Sequence, residues 1–156
     1  MDELLKLARN RPNIGRIFKR VFEKKSVQDL FVSLLRMQMN RSETGTGEQI
    51  TNQETGDQYY KRLTAEIYME LYGRRIMVGS GYQLRASGDF QSSIRVADVN
   101  EREATISADT DKGEDDLILK FGREILELNE ESKQKLIPGL IKEFQEELKN
   151  EILRNN

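Results

Sequence analysis

The chain has no cysteine and no histidine among its 156 residues. Without cysteine there is no disulfide framework, no thiolate zinc site and no thiol nucleophile. Without histidine there is no imidazole base, no Ser-His-Asp triad and no His-ligated metal. Many of the usual enzyme mechanisms fall with these two residues, and carboxylate-only chemistry is what survives. Also missing is any apolar run near the roughly 18 residues that span a bilayer. The opening Met-Asp-Glu-Leu-Leu-Lys lacks the basic-then-apolar order of a signal peptide, so a cytosolic product with no membrane partner is expected. Neither sign of charge dominates. Lys plus Arg number 25 and Asp plus Glu 27, a net charge of −2, so nothing pulls the whole chain toward nucleic acid or an anionic membrane.

What is present is charge and helical periodicity. Charged residues are 33% and hydrophobic residues 37%, a balance that suits long solvated helices or surfaces buried only on assembly. The length fits one domain, or one domain with a helical arm, and supports a real core.

Residues 1–11 read as a helix with Leu4, Leu5, Leu7 and Ala8 apolar, stopped by Pro12. From Pro12, Ile14, Ile17, Phe18, Val21 and Phe22 recur at helical steps. The opposite face carries Arg16, Lys19, Arg20, Lys24 and Lys25. That face reads first as solvated. Arg16, Lys19 and Arg20 are the candidates for contact with DNA, or for lining a channel in a ring. Ser26 is placed to cap a second helix, with Asp29 three residues on, and Val27, Leu30, Phe31, Leu34, Leu35 and Met37 or Met39 form its apolar stripe. Residues 1–39 are thus expected to be an N-terminal helical hairpin or arm.

Residues 40–56 change character, with only Ile50 apolar, and read as a long flexible loop. Its Thr44-Gly45-Thr46-Gly47 resembles a phosphate-cradling loop only superficially, because no Gly-Lys-Ser/Thr completes it. These four residues are instead candidates for a contact loop ordered on assembly. The remainder, 57–156, is expected to be an α+β core. A helix from Asp57 shows Tyr60, Leu63, Thr64, Ile67, Tyr68 and Leu71 on one face and ends at Gly73. The tyrosines 59, 60, 68, 72 and 82 at that spacing read as core or interface rather than as a base-stacking platform. A short strand is expected over 74–79.

Ser87-Gly88-Asp89 reads as a tight turn in which Gly88 takes positive φ and Asp89 caps one helical turn, with Phe90 and Ile94 anchored in the core. A hairpin of 94–99 with 104–109 follows. Residues 109–116 form a carboxylate-rich loop. Asp109, Asp111 and Gly113 are spaced like part of a Ca²⁺ loop, but Lys120 stands where the terminal Glu belongs, so a solvated loop is preferred over a cation site or a metal hydrolase built on Asp109, Asp111 and Asp115. Phe121-Gly122 closes a short apolar segment. Asn129 caps a final helix with Glu130 and Glu131 in its first turn, Pro138 as a kink or restart, and Ile137, Ile141, Phe144, Leu148 and Ile152 as its stripe. Asp89 and Asp98 sit in polar surroundings, and Ser87, Ser92 and Ser93 have no base to activate them. No catalytic, cofactor or metal site is expected.

Three features in order carry a resemblance. They are Leu63-Thr64 opening a helix, then Leu84-Arg85-Ala86-Ser87-Gly88-Asp89-Phe90-Gln91-Ser92-Ser93-Ile94 before a hairpin, then Phe121-Gly122-Arg123-Glu124-Ile125-Leu126-Glu127-Leu128 leading into an Asn-Glu-Glu helix. Over roughly residues 60–153 the chain resembles the tailed-phage virion morphogenesis proteins, the tail-completion or head–tail joining group. Where that group usually has Tyr-x-x-x-His before Phe-Gly, this chain has Asp116-Leu-Ile-Leu-Lys120. The resemblance implies a helix, antiparallel strands and a C-terminal helix, and with the N-terminal helices read from periodicity the expected fold is α+β: N-terminal helices, a small antiparallel sheet with a central hairpin and a long C-terminal helix. It implies a non-enzymatic structural protein of a bacteriophage virion, assembled in the host cytoplasm without cofactors. Such a subunit forms a homo-oligomeric ring at the neck, between portal or adaptor proteins and the tail tube, with DNA passing through the channel. The alternative reading is a small nucleic-acid-binding module using the basic face of the N-terminal helices.

Overall fold

Asn13 starts the first helix. Its side-chain oxygen accepts the Arg16 N–H at 3.0 Å, satisfying one of the amides that every helix start leaves open. The computed structural model describes residues 12–85, 87–112 and 115–154; the helix expected over 1–11 lies outside them. The elements in order are α1 (Ile14–Glu23), α2 (Lys25–Asn40), α3 (Arg62–Tyr72), α4 (Asp89–Ser93), β1 (Arg95–Val99), β2 (Ala104–Ser107), β3 (Asp111–Lys112), β4 (Asp115–Asp116), α5 (Leu117–Phe121), a 3-10 turn (Arg123–Leu126) and α6 (Glu130–Arg154). The fold is α+β: among the described residues, helices flank two small antiparallel pairs, β1 with β2 and the shorter β3 with β4.

Helices α1, α2 and α6 pack as a bundle. Ile17, Val21 and Val27 are its buried centre, flanked by Phe22, Leu140, Phe144 and Leu148. Toward its C-terminal end α2 gives Leu34, Leu35 and Met39 to a second, larger cluster with Ile50, Leu84, Phe90, Ile94, Phe121, Ile125, Leu128 and Leu136. One helix therefore runs through both cores. The N-terminal helix pair shares the packing of the rest of the chain.

The corner between α1 and α2 differs from expectation. Only Lys24 interrupts the two helices, in extended conformation, and no side chain caps α2. Ser26 lies inside the helix. Lys24 instead reaches to the C-terminal helix, pairing with Glu143 at 2.8 Å and Glu147 at 3.0 Å. Arg20 pairs with Glu151 of the same helix.

Asn129 caps α6 as expected, accepting the Ser132 N–H at 2.9 Å. Pro138 lies within an unbroken helix. The packed face is rotated from the expected stripe. Leu136, Leu140, Phe144 and Leu148 meet the cores, while Ile137, Ile141 and Ile152 are exposed. That rotation places Glu143, Glu147 and Glu151 within reach of Arg20 in α1 and Lys24 at the corner after it, so the ion pairs and the apolar packing select one face together.

Strands β1 and β2 pair antiparallel, with Arg95 opposite Ser107, Val96 opposite Ile106, and a bulge before Val99 meets Ala104. The side chain of Asn100 accepts the N–H groups of Arg102 and Glu103 at 2.8 and 3.0 Å and so makes the turn. The segment 74–79 is not a strand; Tyr59 and Gly81 form an isolated bridge instead. The helix expected from Asp57 begins at Arg62. Residues 117–121 form a short helix whose start is capped by Asp116, accepting from Ile118 and Leu119 N–H.

Candidate assembly surface

The turn at 87–94 is built from its own polar groups. Gly88 has φ +88°, in the left-handed region, where a side chain is strained. Ser87 Oγ accepts the Asp89 N–H at 3.2 Å, and Gly88 occupies the cap position expected for Asp89, which is the first helical residue. Ser92 and Ser93 hydroxyls donate back to the carbonyls of Asp89 and Phe90. Ser93 also accepts the Asp109 N–H at 2.8 Å, which ties the turn to the end of β2. Phe90 and Ile94 are each 3% exposed. The serines are engaged with backbone and hold the turn together.

Phe121 is buried, and Gly122 follows at φ +86°, ψ 156°, a backbone region open essentially to glycine alone. This lets α5 end on its own carbonyl and the 3-10 turn start at once.

Residues 44–47 lie on that 3-10 turn. Gly45 N–H donates to the Glu124 carbonyl at 2.8 Å, and no Cβ fits at Gly45 because Glu127 occupies the space. Thr44 N–H bonds Glu48 O at 2.8 Å, and Thr44 and Thr46 hydroxyls meet at 2.8 Å. Ile50 is wholly buried. Thr44 is thus buried against the body, and Thr46, Gly47 and Glu48 form the exposed tip. The glycine that looks like phosphate-loop chemistry is needed for close backbone approach.

The basic face of α1 is largely engaged within the chain. Besides the Arg20 and Lys24 pairs, Lys19 sits 3.7 Å from Glu23. The Arg16 side chain is left in solvent.

The segment from Asp57 to Arg85, where the sequence offers no site motif, carries a surface of exposed and half-buried aromatic and apolar side chains. Four tyrosines form an edge-to-face ladder, Tyr72 to Tyr68 at 5.7 Å, Tyr68 to Tyr60 at 5.7 Å and Tyr60 to Tyr82 at 4.8 Å between ring centres, and Phe121 extends it with a tilted contact to Tyr82 at 5.1 Å. The ladder lines a cleft of about 430 Å³ whose rim includes Asp57, Lys61 and Lys120. Asp57 and Lys61 pair at 2.6 Å. Hydrogen bonding from Lys61, and then from Thr55, holds the Asp57 carboxyl below its usual range. Burial pushes the Tyr60 phenol up, against backbone donation from Gln83 and Leu84, so the ring stays neutral in the core.

Helix α3 presents two apolar faces. Thr64, Tyr68 and Tyr72 line the cleft. Leu63, Ile67 and Leu71, one turn apart, face solvent at 67%, 41% and 66% exposure. Only Ala65 of this helix is buried. The following turn adds Met77 and Val78, also exposed, and returns beside the start of α3, where Gly79 N–H donates to Tyr60 O at 2.9 Å. The sequence signal was an apolar arc too wide for one contact: positions 63, 64, 67, 68, 71 and 72 together cover more than a single packing face.

No helix among the described residues is long and apolar enough to cross a membrane, and no group of three or more metal-binding side chains occurs among them. The chain matches no protein-family model, no curated protein and no solved structure.

Proposed function

We propose that this chain is a structural subunit of a tailed-bacteriophage virion, a non-catalytic protein that builds a ring at the head–tail junction as a neck, connector or tail-completion layer. The observation that carries the reading is the exposed stripe of Leu63, Ile67 and Leu71 with Met77 and Val78 beside it. A set of large apolar side chains exposed this way suits a protein contact, and rings arise from heterologous contacts that close on themselves. The resemblance of the 84–94 turn and the Phe121-Gly122 segment to virion morphogenesis proteins supplies the setting. The open outer edge of β2, in a sheet of only two strands, offers a second place for a neighbour to add. The partners are further copies of this chain, the portal or adaptor ring, and the tail tube.

The test is sedimentation and negative-stain electron microscopy of the purified protein, alone and with the neighbouring virion proteins. A closed ring of fixed size is expected. A chain that sediments as a single subunit at every concentration and never joins a purified virion overturns the proposal. The basic face of α1 gains no support from the geometry as a nucleic-acid site, because Arg20 and Lys24 are neutralised by α6.

A further inference from the structure

A second groove, of about 320 Å³, shares Tyr60 with the tyrosine cleft and is lined by Tyr60, Arg74, Arg75, Ile76, Gln83 and Arg85. Three of these six residues are arginines and no carboxylate lines the groove among the described residues. Several cations elsewhere, among them Lys19, Arg20, Lys24, Lys61 and Arg62, are paired with acids, whereas Arg74, Arg75 and Arg85 form no ion pair among the described residues. Their guanidinium groups are exposed. They are also partly preorganised. Arg74 Nη1 donates to the Arg85 carbonyl at 3.0 Å, and its Nη2 lies where a Cβ on Gly88 would come within 3.0 Å. The positive φ of Gly88, with no side chain there, thus leaves room for one arginine to lie across the turn that carries another.

We propose that this arginine groove binds the phosphodiester backbone of nucleic acid. The planar guanidinium fork matches phosphate oxygens. A single small anion at so exposed a site is screened by salt, but a polyanion that meets three arginines at once is held through release of its counterions. The exposed Tyr72 ring at the end of the adjoining ladder adds a face on which an unpaired base can stack. The inference stands on charge and geometry separate from the apolar stripe and holds whether or not the chain forms a ring.

The experiment is fluorescence anisotropy of the folded full chain with a short labelled single strand and the matching duplex, over a series of salt concentrations, with polyglutamate as competitor. Arg75→Ala/Arg85→Ala keeps the Arg74 tether and is the principal variant; a thermal melt confirms its fold. Expected is binding that falls steeply with salt, weakened about tenfold or more in the variant, with the log–log salt slope reduced by about one for each arginine removed. Arg16→Ala/Lys19→Ala is expected to leave affinity and slope unchanged. Absence of binding by the native chain at low salt overturns the proposal, as does an equal loss in both variants. Displacement by polyglutamate as effective as by unlabelled DNA also overturns it, in favour of an acidic protein partner. Sedimentation of Arg75→Ala/Arg85→Ala, expected to match the native chain, keeps a failure here distinct from a failure of assembly.

Discussion

Gln38 and Asn129, 91 residues apart, share a buried hydrogen bond: the Asn129 backbone N–H donates to Gln38 Oε1 at 2.7 Å. The same Gln38 side chain donates through Nε2 to the Glu127 carbonyl at 2.8 Å, while the Asn129 amide donates to Glu43 at 2.9 Å. The end of α2, the loop after it and the start of α6 are thus stitched by one fully buried amide. Gln38→Leu would keep the volume and leave a buried N–H and C=O without partners. A loss of about 2–3 kcal/mol is expected in urea unfolding, since each orphaned buried group costs ~1–3 kcal/mol. A loss below about half a kcal/mol would show that water takes over both bonds.

Ser42 presents the opposite case. It has φ +62° and a buried hydroxyl with no hydrogen-bond partner. Gly81 is opposite, where a Cβ would come within 2.6 Å of Ser42 Cβ. Ser42→Gly removes both the left-handed strain and the orphaned hydroxyl. A gain of about 1 kcal/mol is expected, read as a higher melting temperature. Gly81→Ala at the facing position should instead destabilise by ~1–3 kcal/mol through overpacking.

Gly88→Val tests the turn. At φ +88° a β-branched residue is strained by about 1–2 kcal/mol, and its side chain would also displace the Arg74 guanidinium. Lower stability is expected by denaturant titration, together with faster proteolysis around residues 85–88. Unchanged stability would remove the local argument for glycine here.

The Lys24 clasp has a pH signature. Its hydrogen bond to Glu143, aided by Glu147, raises the ammonium pKa above the ordinary lysine value of 10.5, against a smaller lowering by desolvation. A raised folded-state pKa means that the contribution to stability is fully present below about 10.5 and is lost as pH rises through the folded value. The native melting temperature should therefore fall more steeply than that of Lys24→Met across the alkaline range, and the two curves should converge at its top. Parallel curves would show the clasp to be energetically silent.

The α3 stripe gives a sharp separation of effects. Leu63→Glu/Leu71→Glu places charges on side chains already exposed, so folding stability should change by no more than ~0.5 kcal/mol. Assembly should be lost or reduced to the single subunit by light scattering. Intact assembly in this variant would move the contact to another face.

What could be read from the sequence was chiefly what short-range rules govern. Asn129 as a cap, Gly73 as the end of its helix, Gly88 at positive φ, Phe90 and Ile94 as anchors, and the hairpin after them follow from local chemistry, and the structure has each of them. The misreadings have long-range causes. Ser26 is a good cap in isolation, but Lys24 took the corner because Glu143 and Glu147, more than a hundred residues on, give its charge a partner. The segment 40–56 bonds backbone carbonyls at Glu124 and Lys120, contacts that no side-chain pattern reports. Ile137 and Ile141 sit at ideal spacing yet face outward, since Leu136 and Leu140 one step away fit the cores better. As for the candidate surface, the tyrosine ladder was visible as a set but not as a cleft, and the arginines at 74, 75 and 85 converge only once the chain folds back at Gly79.

The single-residue corner at Lys24 also makes length itself a conserved quantity in this part of the fold. Inserting one residue there would turn α2 by about 100° about its axis. Leu34, Leu35 and Met39 would swing out of the larger core while Val27 left the smaller one. Insertions and deletions should therefore be lethal to folding at this joint, yet tolerated beyond the far end of α2 at the exposed tip of Thr46 to Glu48, so a tag or a fused domain belongs at the latter and not at the former.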